Sequence, residues 1–165
     1  ANGATVTANE IIFASDFTIG GGTSGKLILA ADKTINGDVL LNSGANLTLN
    51  NNAEVIGTIS GASSSGSGTL EIAEAASVTL SGNIGTSLNK ISSVILNANS
   101  DLTIEGDLIA NSVTIASDAD LSVLLGALDT LVLGSSNGTG SLTFKENNQL
   151  RIIIMYKVHD SFLNC

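Results

Sequence analysis

Few residues of this chain have the chemistry of a reaction centre, and their spacing does not bring them together. The single histidine, His159, the single cysteine, Cys165, and the single arginine, Arg151, all fall near the C-terminal end. A Ser-His-Asp or Cys-His constellation therefore depends on that end alone. Two ligands, His159 and Cys165, do not make a zinc site. Asp38, Glu105, Asp107, Asp118 and Asp120 supply the hard oxygen ligands that calcium prefers. Yet the glycine-rich nonapeptide of calcium-bound β-rolls is missing. Asp118 and Asp120 have the close spacing of a carboxylate pair. A glycosidase pair needs one carboxyl in a partly buried site, whereas both of these fall in a predicted turn, where Asp bonds its own backbone. Gly20–Gly22 with Gly25 outlines a phosphate loop, but Lys26 is followed by Leu27 and not by Ser or Thr. Sugar platforms would have to come from Phe13, Phe17 and Phe144, the only aromatic residues before the tail. This reading assigns no catalytic, cofactor-binding or metal-ligating residue.

The elements that would position such residues are easier to see. A cassette of apolar-x-apolar, five small polar residues and a third apolar residue recurs along the chain. It reads LILAADKTI from Leu27, LTLNNNAEV from Leu47, LEIAEAASV from Leu70, VILNANSDL from Val94 and VTIASDADL from Val113. The third apolar residue is Ile35, Val55, Val78, Leu102 and Leu121 in turn. First-strand starts at 27, 47, 70, 94, 113 and 131 are separated by 20, 23, 24, 19 and 18 residues. Internal periods of this size belong to solenoids, and the period-two alternation calls for strands.

The inserts AADKT, NNNAE, AEAAS, NANSD and ASDAD are turn formers. A second strand follows each, then glycine at 37, 57, 82, 106 and 126 for a sharp corner. A further short strand, such as VLL after Asp38 or LIA after Asp107, closes the coil. The expected fold is an all-β, right-handed parallel β-helix of roughly seven coils, with Leu, Ile and Val stacked inward. Thr48, Thr79, Thr103 and Thr114 are expected to point outward. Ranked threonines can bind ice, but two of these belong to the first strand and two to the second, so they do not share a column. GASSSGSG (61–68) reads as a flexible excursion between coils.

Composition sets the outer limits. The chain has 165 residues, no Trp, no Pro, 18 Gly and a net charge of −9. Thirteen of the fifteen acidic side chains lie before residue 145, against Lys26, Lys33 and Lys90. An acidic body without a basic stripe lacks the footprint of a nucleic-acid binder, and anionic membrane surfaces would repel it. One cysteine permits no internal disulfide. No apolar run approaches the roughly 18 residues of a membrane helix. The opening ANGAT carries no signal peptide, so the expectation is an internal piece of something longer.

The domain reading is a β-helix over 1–144 and an atypical tail over 145–165. KENNQLRIIIMYKVHDSFLNC holds half the basic residues and the only Met, Tyr, His and Cys. It is read as either a cap over the end of the solenoid or a frameshifted remnant, and the abrupt change of composition favours the remnant.

Within 70–125, where the likeness is best, the stretch SGNIGTSLNKISSVILNANSDLTIEGDLIANSVTIASDADLSV (81–123) resembles the passenger repeats of rickettsial surface antigens, the autotransporters of the outer membrane protein A and B type. The likeness is looser over 26–60 and absent from the tail. It implies a non-enzymatic cell-surface passenger, displayed by a β-barrel outside this chain, acting as a stalk or in host-cell adhesion. The implied partner is a host-cell surface protein, with self-association through open solenoid ends, no membrane insertion by this segment and no cofactor. The alternatives are a polysaccharide-acting β-helix, lyase or hydrolase, and a non-functional fragment of a split gene.

Overall fold

The computed structural model describes residues 4–21, 24–133 and 141–144. Arg151, His159, Cys165 and the tail from 145 onward lie outside the described residues. Thirteen strands follow one another, with no helix among the described residues. They are β1 (Thr5–Ala8), β2 (Ile12–Ile19), β3 (Lys26–Leu29), β4 (Thr34–Leu41), β5 (Asn46–Leu49), β6 (Glu54–Ile56), β7 (Ile59–Gly61), β8 (Ser67–Ile72), β9 (Ser77–Leu80), β10 (Ile91–Leu96), β11 (Asp101–Ile115), β12 (Asp120–Leu133) and β13 (Ser141–Phe144). All strand pairs are parallel, each strand lying on its equivalent one coil away. The architecture is the expected all-β parallel solenoid, and the described residues make about five turns where roughly seven coils were expected.

Register explains why the cassette recurs. Leu27 pairs with Leu47, Leu47 with Leu70, Leu70 with Val94, Val94 with Val113 and Val113 with Leu131. Leu29, Leu49, Ile72, Leu96 and Ile115 form a second file two residues on. Leu47, Leu49, Leu70, Ile72, Val94 and Leu96 are fully buried. Burying each such side chain contributes about 1.5–3 kcal/mol. A one-residue slip would turn a whole file outward, so the alternation fixes the register.

The five inserts form one repeated corner. Their third residues, Asp32, Asn52, Ala75, Asn99 and Asp118, all have φ between 55° and 59°. In the last four, the fourth residue's N–H donates back to the first residue's carbonyl, as from Ala53 to Asn50 (2.9 Å) and from Ser100 to Asn97 (3.2 Å). These corners also stack. The Asp32 N–H donates to Asn51 O, the Ala75 N–H to Ala98 O and the Asn99 N–H to Ser117 O, each at 3.0 Å. Asn and Asp suit this left-handed backbone because they bond locally. In these four corners the fourth residue, Ala53, Ala76, Ser100 or Ala119, is small and buried, whereas the first corner has Lys33 there.

The second corner is a glycine ladder. A Cβ on Gly57 would sit 2.6 Å from Gly37 O, one on Gly82 would land on Gly57 O, and one on Gly106 would sit 2.8 Å from Gly82 O. The coils approach too closely here for any side chain. Beside them Asp38 Oδ1 accepts from the Thr58 N–H (2.7 Å) and Asn83 Oδ1 from the Asp107 N–H (2.9 Å). Where short separate strands were expected, β4 and β11 run on through this corner, β11 with register shifts near Glu105 and Leu108.

The sheet is not equally continuous on all sides. The first face runs unbroken from β1 through β3, β5, β8 and β10 to β11 and β12. The other strands of the first three coils form a separate sheet of β2, β4, β6 and β7. Among the described residues its one bridge onward is Ile84, which pairs with Ile59 below and Leu108 above. The two extra-long repeats place their added residues at one edge, around 62–66 and 85–90. The Ser/Gly excursion is tied down there: Ser67 Oγ donates to Leu41 O (2.8 Å), Asn111 Nδ2 to Ser65 O (2.6 Å) and the Lys90 N–H to Ser63 O (3.1 Å). Leu88, at the tip of the second excursion, is 74% exposed.

Candidate functional site: a carboxylate shared by four coils

The acidic residues singled out from sequence are distributed by the corners and not gathered. Asp38 and Asp107 stand at the glycine corner, Asp118 is the left-handed residue of a first corner, and Asp120 opens β12. Among the described residues no group of three or more His, Cys, Asp or Glu side chains is placed to hold a metal ion. Thr79 and Thr103 are register neighbours on the second strand. Thr48 and Thr114 lie on the first face with Glu71 and Ile95 between them. Thr48 is not an exposed outward residue as expected: it is 7% exposed. What covers it is the most developed polar cluster of the described chain.

That cluster is centred on Glu71, in β8. Its Oε2 accepts from Thr48 Oγ1 (3.1 Å) and Asn46 Nδ2 (3.2 Å), both on β5, and pairs with Lys26 Nζ (3.4 Å) on β3. Its Oε1 accepts from Asn97 Nδ2 (3.1 Å), at the corner after β10. Asn97 Nδ2 also reaches Ile72 O (2.9 Å), which fixes the amide against the sheet. Four consecutive coils thus meet at one carboxylate. The register makes this possible: Lys26 lies beside Asn46 and Thr48 beside Glu71, all on the outward side of the first face.

Partial burial of Glu71 works to raise its pKa. The hydrogen bonds from Asn97, Asn46 and Thr48, with the nearby Lys26 charge, more than offset this and hold the carboxyl below the usual carboxylate range. The side chains of Lys26 and Glu71 keep 36% and 24% of their surface exposed. The Thr48 hydroxyl lies 2.9 Å from Asn46 Oδ1 as well as near Glu71, and its one proton serves either acceptor.

Sequence reasoning missed this cluster. Lys26 drew attention only as part of a Gly-Lys pair, and Glu71 lies 45 residues from it. The signal was nonetheless available. Once the cassettes are laid over one another, K-L-I-L, N-L-T-L and T-L-E-I place Lys26, Asn46, Thr48 and Glu71 on two adjoining outward columns. Compared with family models, curated proteins and solved structures, the chain finds no match in any of the three.

Proposed function

We propose that this chain is a non-enzymatic length of a bacterial cell-surface autotransporter passenger, serving as a stalk and as a surface for host-cell adhesion. The observation that carries the reading is the stack itself. Five successive steps lay Leu27, Leu47, Leu70, Val94, Val113 and Leu131 in file. The same strands turn small polar side chains outward in matching columns, such as Thr69, Ser93 and Ser112. A regular rod with broad outward faces suits display and distributed contact, and solenoids are used widely as extended binding surfaces. The resemblance of residues 70–125 to rickettsial passenger repeats supplies the direction, and with it the outer surface as location and a host-cell surface protein as partner.

Latex beads coated with the protein test the adhesive part. The expectation is that they bind cultured mammalian cells in greater number than albumin-coated beads, and that soluble protein competes. Equal binding by both kinds of bead would remove adhesion from the reading. Incubation with acidic and neutral polysaccharides should release no new reducing ends or unsaturated products; their appearance would replace the passenger reading with the polysaccharide-acting one.

A further inference from the structure

We propose that Lys26 and Asn46 form a side-chain amide cross-link between adjacent coils, made by the protein itself with Glu71 as the proton carrier. The two residues are register partners on β3 and β5, so their Cα atoms stand one strand spacing apart with side chains on the same face. Lys26 Nζ and Asn46 Nδ2 both lie within hydrogen-bonding range of one oxygen, Glu71 Oε2. Because β5 lies between β3 and β8, the lysine must pass over Asn46 to reach that oxygen. The nucleophile, the electrophile and a base therefore share one place.

Each further contact has a part in the chemistry. The neutral Lys26 amine attacks Asn46 Cγ. The Thr48 hydroxyl, 2.9 Å from Asn46 Oδ1, donates to the oxygen on which negative charge grows. Glu71 Oε2 takes a proton from the attacking nitrogen and passes it to Nδ2, to which it is already hydrogen-bonded. The Nζ–Cγ bond forms, the Cγ–Nδ2 bond breaks, and ammonia leaves. Every atom is accounted for and no oxidant is needed. Asn97 anchors the other carboxylate oxygen, which leaves Oε2 aimed at the reacting pair. Holding the groups together in this way replaces a bimolecular encounter with an intramolecular one. In the resting structure Lys26 and Glu71 form an ion pair at 3.4 Å. An amine attacks only in its neutral form, so alkaline incubation is the condition that favours the bond.

The test is intact-mass measurement of the full chain, fresh and after incubation at about pH 9. The expected product is lighter than the encoded chain by one ammonia. Succinimide formation at Asn36-Gly37 gives the same loss, so the bond must be located. Trypsin cuts after Lys26 and Lys33 and releases 34–90, which carries Asn46. An acylated Lys26 resists cutting, and 34–90 is recovered joined to 1–33. Lys26→Arg keeps the ion pair and the fold but yields no joined peptide. Glu71→Gln, with the wild-type circular dichroism spectrum, forms the bond at least about 100-fold more slowly. A wild-type chain that keeps peptide 34–90 free after alkaline incubation overturns the proposal. A Glu71→Gln rate equal to wild type overturns the role given to Glu71.

Discussion

Ala75 is the one alanine among five equivalent left-handed corner residues, and replacing it tests the corner directly. Its φ is 56°, matching Asp32, Asn52, Asn99 and Asp118. For an L-residue with a Cβ this conformation costs roughly 1–2 kcal/mol, and Asn escapes part of that through local hydrogen bonds. The Ala75 side chain is exposed, so a longer one meets solvent and not the core. Ala75→Asn should therefore stabilise the fold by about 1 kcal/mol. Ala75→Gly removes the strain entirely but gives back about 0.5–1 kcal/mol through the freer unfolded chain, for a net gain of about 0.5 kcal/mol. The same change one position earlier in the next corner, Ala98→Gly, carries the chain-entropy loss with no strain to relieve and should cost about 0.5–1 kcal/mol. Thermal unfolding followed by circular dichroism reads these as a rise of about 2–4 °C for Ala75→Asn, a rise of about 1–2 °C for Ala75→Gly and a fall of about 1–4 °C for Ala98→Gly. Two glycine substitutions of the same sign would refute the assignment of strain to the third corner residue.

Leu102 is 1% exposed and in register with Val78 and Leu121. Leu102→Asp should cost of order 4 kcal/mol or more in denaturant titration, and the outward Thr103→Asp less than about 1 kcal/mol. Equal shifts would contradict the facing of β11. Gly82→Ala drives a Cβ onto Gly57 O and should cost about 2–3 kcal/mol. Gly25→Ala, whose nearest atoms are 3.4 Å away, should stay within about 0.5 kcal/mol. Glu71 has a lowered folded-state pKa, so its contribution is complete above the ordinary Glu value of about 4.3 and is lost as pH falls through the folded value. Measured against Lys26→Arg alone, where no cross-link forms, the added Glu71→Gln change should remove that part of the acid limb and cost about 1 kcal/mol or less at neutral pH. A double variant with an unchanged acid limb would show that the Glu71 cluster adds nothing to stability. Hydrogen exchange should be at least about tenfold faster in β6 than in β5, a difference of about 1.4 kcal/mol in local opening; one common rate would mean that the sheet break has no energetic effect.

The sequence carries the inward files and both corners because each repeats in a local pattern. Leu47 and Leu70 declare themselves by alternation. Asn52 and Asn99 mark a left-handed turn by type, and Gly57 and Gly82 mark a corner by spacing. Ala75 could not be read that way, since nothing about alanine announces a positive φ. Its conformation is imposed by the stacked corners above and below. The Glu71 cluster was hidden for a different reason. Its members sit on the outward columns, where no burial pattern constrains residue type, and come from four coils whose repeat lengths differ. Only exact superposition of the coils brings Lys26 over Asn46. Thr48 was misjudged on the same ground: a threonine on the outward face reads as exposed unless its neighbours along the column are known to close over it.

The Glu71 cluster lies where the backbone pairing of the solenoid is thinnest. Each coil of such a fold touches only its neighbours, so a weak junction is not rescued by the rest of the rod. Between the third and fourth coils the second-face strands β6 and β9 belong to different sheet paths. Beyond them, among the described residues, the backbone pairing narrows to the bridge of Ile59 with Ile84 and the Gly61 N–H donated to Asn89 O (3.2 Å). Only the first face, β5 on β8, keeps a full ladder. Asn46 and Thr48 on one side of that junction meet Glu71 on the other, while Lys26 and Asn97 extend the grip one coil further each way. The two lengthened repeats meet at this junction, with their extra residues carried out around 62–66 and 85–90, and the side-chain bonds of the Glu71 cluster cross it on the first face. A covalent Lys26–Asn46 link would brace the coil immediately below that junction, so that opening at β6 and β9 need not propagate toward β3.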